Sequence, residues 1–89
     1  MPLFVPGTVV ATKGALAALD RAEINPLTLL NRHVRGDWGD LGQEDCDANK
    51  NALTWGGRLL SKYLVKDHAF YVITEADYSS TTLMLTQEY

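Results

Sequence analysis

The stretch Arg58–Thr86, RLLSKYLVKDHAFYVITEADYSSTTLMLT, is where helical spacing of the apolar residues gives way to a period of two. Three segments in it, Arg58–Val65, Ala69–Glu75 and Thr81–Thr86, are rich in aromatic and β-branched residues. The connectors KDH and ADYSS carry turn residues. Three short strands with short connectors predict an antiparallel meander. In the middle strand Phe70 and Val72 point one way and Tyr71 and Ile73 the other, so both faces of the sheet are apolar. Helices cover one face. The other calls for cover from the arm Leu3–Val5, from a second copy of the chain or from a partner.

The segments before this meander read as helices. Asp40 is the expected N-cap of the helix DLGQEDCDANKNALTWGG, with Gln43 completing a capping box and Gly56-Gly57 ending it. Cys46, Asn49 and Leu53 share one of its faces. In INPLTLLNRHVRG, Asn25 is an N-cap, Pro26 takes the first helical position and Gly36 falls at the left-handed terminating position. Leu27, Leu30 and Val34 line one face, while Arg32, His33 and Arg35 occupy the last turn, where cations suit the dipole. Thr12 caps KGALAALDRAE, and the β-branched TVVAT (Thr8–Thr12) before it is a strand. The expected fold is α+β, in the order β-α-α-α-β-β-β. A three- to four-stranded antiparallel sheet carries helices on one face, in a single domain spanning 1–89.

Bulk properties exclude several functions. Eighty-nine residues hold one core, and 46% hydrophobic with 21% charged residues is the balance of an ordinary globular domain. The net charge is −3 and the eight basic residues are scattered, so no basic face is available to contact phosphates or an anionic membrane. A single cysteine, Cys46, precludes an internal disulfide. The start of the chain lacks a basic signal region and no apolar run is long enough to span a bilayer. A cytoplasmic location is expected.

The densest group of chemically capable side chains is HVRGDWGD (His33–Asp40). It offers His33 with Asp37 or Asp40, or with Glu75 further on, as an acid/base pair. It is equally accounted for as a helix end, an aromatic plug and the cap of the next helix, and that structural reading is the expected one. Asp45–Asn51 imitates the start of a calcium-binding loop but has Lys50 and Gly56 where that loop needs glycine and glutamate. Cys46, His33 and His68 have no metal-ligand spacing, and there is no nucleophile elbow or phosphate-cradling glycine loop. No catalytic residue, metal or cofactor is expected. What survives is charge: five acids and no base lie between Asp37 and Asp47. Such a patch suits a basic protein partner.

The segments LLNRHVRGDWGDLGQED, GGRLLSKY and VITEADYSSTTLMLTQEY resemble a family of small bacterial proteins of plasmids and integrated mobile elements, labelled plasmid-related proteins. Some carry the label of a type I restriction modification subunit. A methyltransferase would not fit into 89 residues, so that activity is not implied. Where the family has arginine after Asp77 this chain has Tyr78, and Thr86-Gln87 stands where a proline precedes the final acids. The resemblance implies an accessory factor of a mobile element. The resulting expectation is a non-enzymatic protein that binds or inhibits a host or defence component, such as restriction or CRISPR machinery. It would do so through Asp37, Asp40, Glu44 and Asp45, with Trp38 as aromatic anchor and Arg35 and Trp55 beside it. The alternatives are a small acid/base enzyme using His33 with Asp37 or Glu75, and a structural homodimer joined through the open sheet face.

Overall fold

The computed structural model describes residues 2–89. Strand β1 (Thr8–Ala11) leads into helices α1 (Lys13–Arg21), α2 (Pro26–Val34) and α3 (Gln43–Trp55). Strands β2 (Leu59–Val65), β3 (His68–Thr74) and β4 (Ser80–Leu85) follow, and a 3-10 turn spans Thr86–Glu88. The order is the expected one, and the class is α+β. The side chain of Thr12 caps α1 by accepting from the Ala15 N–H at 3.1 Å, and Asn25 caps α2 through the Leu27 N–H at 3.0 Å. Beyond α2, Gly36 has φ +84°, its N–H bonds to the His33 carbonyl, and the Asp37 N–H bonds to the Arg32 carbonyl. These two bonds satisfy helix-end carbonyls that would otherwise be orphaned.

The sheet order is β1-β4-β3-β2. The meander is antiparallel, but β1 pairs parallel with β4, Thr8 opposite Ser80 through Ala11 opposite Leu83. The sheet is therefore mixed, not antiparallel throughout. A parallel neighbour needs a long crossover, and here everything from α1 to β3 intervenes. Nothing within TVVAT states which edge it joins.

Inward-facing residues from the strands, Tyr63, Phe70, Val72, Leu83 and Leu85, meet Ala15, Ala18 and Leu19 of α1 and Leu29 and Leu30 of α2 in the main core. A second cluster joins Phe4, Ala52 of α3 and Leu59, with Val34, Trp38, Leu53 and Tyr78 against it. The arm contributes Phe4 to this cluster, while Leu3 and Val5 stay exposed. It therefore packs on the helix side and does not cover the far sheet face.

Two local readings are corrected. The N-cap of α3 is Gly42, with no side-chain cap bond, so Asp40 and Gln43 do not form a capping box. The Asp40 N–H bonds instead to the Lys62 carbonyl at 2.7 Å. Helix α2 turns Leu29, Leu30 and His33 inward and leaves Leu27 exposed. Each buried leucine is worth roughly 1.5–3 kcal/mol, and a histidinium at a helix end only about 0.3–1 kcal/mol. The leucine pair sets the rotation, and His33, three and four residues further on, goes in with it.

Candidate functional site

His33 lies fully buried beneath α2, at the centre of a hydrogen-bonded chain. Its Nδ1 is 2.6 Å from Ser61 Oγ on β2 and its Nε2 is 2.9 Å from Thr74 Oγ1 on β3. Thr74 Oγ1 is 2.7 Å from Thr81 Oγ1 on β4, and Thr81 donates to the Pro6 carbonyl at 2.7 Å. The carbonyl can only accept, so the direction of every bond follows from that end. Thr81 gives its proton to Pro6. Thr74 must then donate to Thr81, and His33 Nε2–H must donate to Thr74. Nδ1 is left as an acceptor for the Ser61 hydroxyl. The bond directions put a proton on Nε2 and burial keeps the ring neutral, so it is held as the Nε2–H tautomer. Burial pushes its pKa down to about 4. Phe4 and Trp38 pack edge-on against the ring, with centroids 5.2 and 5.7 Å away.

The acid/base partners considered for His33 make their contacts elsewhere. Asp37 takes a forked ion pair from Arg32, at 2.7 Å to Nε and 3.2 Å to Nη2. That hydrogen bond holds the Asp37 carboxyl below its ordinary value and raises Arg32. Glu75 lies 3.6 Å from Arg58. A cleft of about 240 Å3 between α3 and the far sheet face is lined by Asp45, Asn49, Arg58, Tyr71, Ile73 and Tyr89, and His33 does not reach it. Among the described residues, no group of three or more His, Cys, Asp or Glu side chains is placed to hold a metal ion. No helix among them is long and apolar enough to cross a membrane.

The rest of HVRGDWGD docks onto the outer edge of β2. The Lys62 N–H bonds to the Trp38 carbonyl at 3.0 Å and the Lys62 carbonyl accepts from Asp40, so Gly39 forms a parallel bridge to Lys62. Gly39 has φ +74°, and a Cβ there would overlap the Lys62 carbonyl oxygen, so only glycine allows this approach. The Tyr63 hydroxyl donates to the Asp37 carbonyl at 2.7 Å, and burial pushes this phenol up to about 12. The Arg32 guanidinium lies 4.5 Å over the Tyr63 ring. One residue pair along the edge, the Asn49 side chain accepts from the Leu60 N–H at 3.0 Å and donates to the Leu60 carbonyl at 2.7 Å. A side-chain amide here replaces the next residue of a neighbouring strand.

The residues singled out as a protein-binding surface separate into two groups. Asp37 and Trp38 belong to the edge clamp, and Trp38 is half-buried against His33 and the second core cluster. Arg35, Asp40, Glu44 and Asp45 are exposed. Trp55, at the far end of α3, is 84% exposed. Glu44, Ala48, Asn51 and Trp55 stand at spacings of four, three and four residues, which puts them on one exposed helix face.

Ser61, Thr74, Thr81 and Asn49 are the buried polar residues that sequence reasoning did not assign. A signal was present for three of them. Ser61, Thr74 and Thr81 alternate in phase with Leu59 and Tyr63, with Phe70 and Val72, and with Leu83 and Leu85, so each is a hydroxyl at an inward position. Comparison of the chain with family models, characterised proteins and solved structures finds no match.

Proposed function

We propose that this protein is a non-enzymatic binding factor that engages a basic protein surface through the exposed face of α3. The observation that carries this reading is Trp55, a tryptophan 84% exposed on the same helix stripe as Glu44. Tryptophan is the residue most enriched where binding energy concentrates. Asp40, Glu44, Asp45 and Asp47 surround the other end of the helix and supply electrostatic steering. Eleven residues of helix separate Glu44 from Trp55, about 16 Å at 1.5 Å per residue, so anchor and acidic rim fit one partner surface of ordinary size. Asp37 and Trp38, being committed to the β2 edge, position this surface and do not themselves form its anchor.

The resemblance to mobile-element proteins supports a host or defence component as the partner. The test is affinity capture from the native host with the wild-type chain, Trp55→Ala and the double variant Glu44→Lys/Asp45→Lys. A partner retained by the wild type and lost by both variants supports the reading. An identical set of captured proteins from all three contradicts it.

A further inference from the structure

The two edges of the sheet are finished differently. The β2 edge is occupied at Leu60 by the Asn49 amide and at Lys62 by Trp38 and Asp40. At the other edge, Thr8 and Thr12 direct their N–H groups inward to the carbonyls of Ser79 and Leu83, at 3.1 and 3.0 Å. Strand alternation therefore turns the N–H and C=O of Val9 and Ala11 outward. No loop or turn backbone group among the described residues bonds to either. The strand TVVA also carries none of the usual protections of an edge: no lysine, no proline and no charged side chain. Val9 and Val10 are 43% and 46% exposed.

We propose that β1 pairs antiparallel with β1 of a second copy of this chain, about a two-fold axis at Val10, and so joins two four-stranded sheets into one. Val9 then exchanges backbone hydrogen bonds with the partner's Ala11, and Ala11 with the partner's Val9. Two observations select a second copy as the occupant. The first is closure. Pairing of β1 with a partner's β2 would propagate without end, but the β2 edge is filled at Leu60 and Lys62, so pairing of β1 with itself is the arrangement left and it stops at two.

The second is charge. Thr8 lies opposite Ser80, so the Asp77–Ser79 turn stands at the leading end of β1, while Lys13 stands at its trailing end. Antiparallel pairing brings Asp77 of one copy to the partner's Lys13, and the reverse. Neither Asp77 nor Lys13 forms an ion pair within the described residues of one chain. A strand of four residues buries little area, so the association is weak and builds with concentration.

The experiment is sedimentation equilibrium over a wide concentration range, with amide hydrogen exchange on the same samples. The expected mass rises from 9.8 kDa toward twice that value. The Val9 and Ala11 amides gain protection as it does, while Val10, already bonded to β4, does not change. Val10→Lys sets two like charges on the axis and abolishes the dimer. Asp77→Asn keeps the acceptor for the Ser79 N–H, which lies at 3.0 Å, and removes the charge, so it leaves the turn intact. Asp77→Asn and Lys13→Gln each weaken association several-fold, and the double variant weakens it no more than either alone. A monomer at millimolar concentration overturns the proposal. So does a dimer whose Val9 and Ala11 amides exchange freely, or one that Val10→Lys leaves unchanged.

Discussion

Ser61 Oγ donates to His33 Nδ1 across 2.6 Å. The direction of that bond follows from the carbonyl of Pro6, which fixes the one ring proton on Nε2, and from burial, which keeps the ring neutral. A histidine held this way is a structural element with a pH signature. Its ordinary pKa of 6.5 falls to about 4 in the folded chain. Below 6.5 the unfolded chain takes up a proton that the folded chain refuses. Stability is therefore complete above 6.5 and is lost as the pH drops toward about 4, by on the order of 3 kcal/mol. Urea unfolding at a series of pH values measures this slope. In His33→Gln, which has no proton to take up, the slope between 6.5 and about 5 disappears, above the range where the depressed carboxyls of Asp37 and Asp77 begin to titrate.

Thr81 holds the direction of the network. Thr81→Val keeps the shape but leaves the Pro6 carbonyl without a donor and Thr74 without an acceptor, at a cost of about 1–3 kcal/mol. It also frees the Thr74 proton to turn toward His33 Nε2. The expected spectroscopic result is the appearance of the Nδ1–H tautomer, absent in the wild type and visible in the imidazole nitrogen shifts. A variant that retains only the Nε2–H form would show that the direction is set elsewhere.

The β2 edge is held by two independent devices. Asn49→Leu strands the N–H and C=O of Leu60 and is expected to cost about 1–3 kcal/mol. Gly39→Ala drives a methyl into the Lys62 carbonyl at positive φ and is expected to cost about 2 kcal/mol or more. Hydrogen exchange separates the two, because the Leu60 amide loses protection in the first variant and the Lys62 amide in the second. Equal loss across the whole sheet in both would mean that the edge contacts are not local.

The two tryptophans are expected to behave oppositely. Trp55→Ala removes an exposed side chain and leaves stability within about 0.5 kcal/mol. Trp38→Ala removes packing against His33 and the second core cluster and costs about 3 kcal/mol. If partner capture depends on Trp55 in a chain of unchanged melting temperature, the anchor is that residue.

Much of the fold is legible in local chemistry. Asn25-Pro26 and Gly36 bracket α2, Thr12 starts α1, and the change of period after Gly57 announces the strands. Partner choice is not legible in the same way. TVVAT reads as a strand but does not say that it joins β4 in parallel. Asp40 has the sequence context of a cap, yet the open edge of β2 claims its N–H, a competition visible only once strand and loop meet. His33 reads as a helix-end cation because the dipole argument is local, whereas its burial follows from Leu29 and Leu30 packing on strands of a meander that begins 25 residues after Val34. The hydroxyls that receive it are spread over three strands, so no single segment displays the group.

HVRGDWGD serves the fold: a neutral histidine is locked in the core and the residues after it seal a strand edge. Nitrogen-detected NMR of the His33 imidazole as a function of pH tests it most directly. The Nε2–H tautomer is expected throughout the neutral range, with no protonation until the pH approaches about 4. An imidazole that titrates near its ordinary 6.5, or one that populates both tautomers, would contradict it.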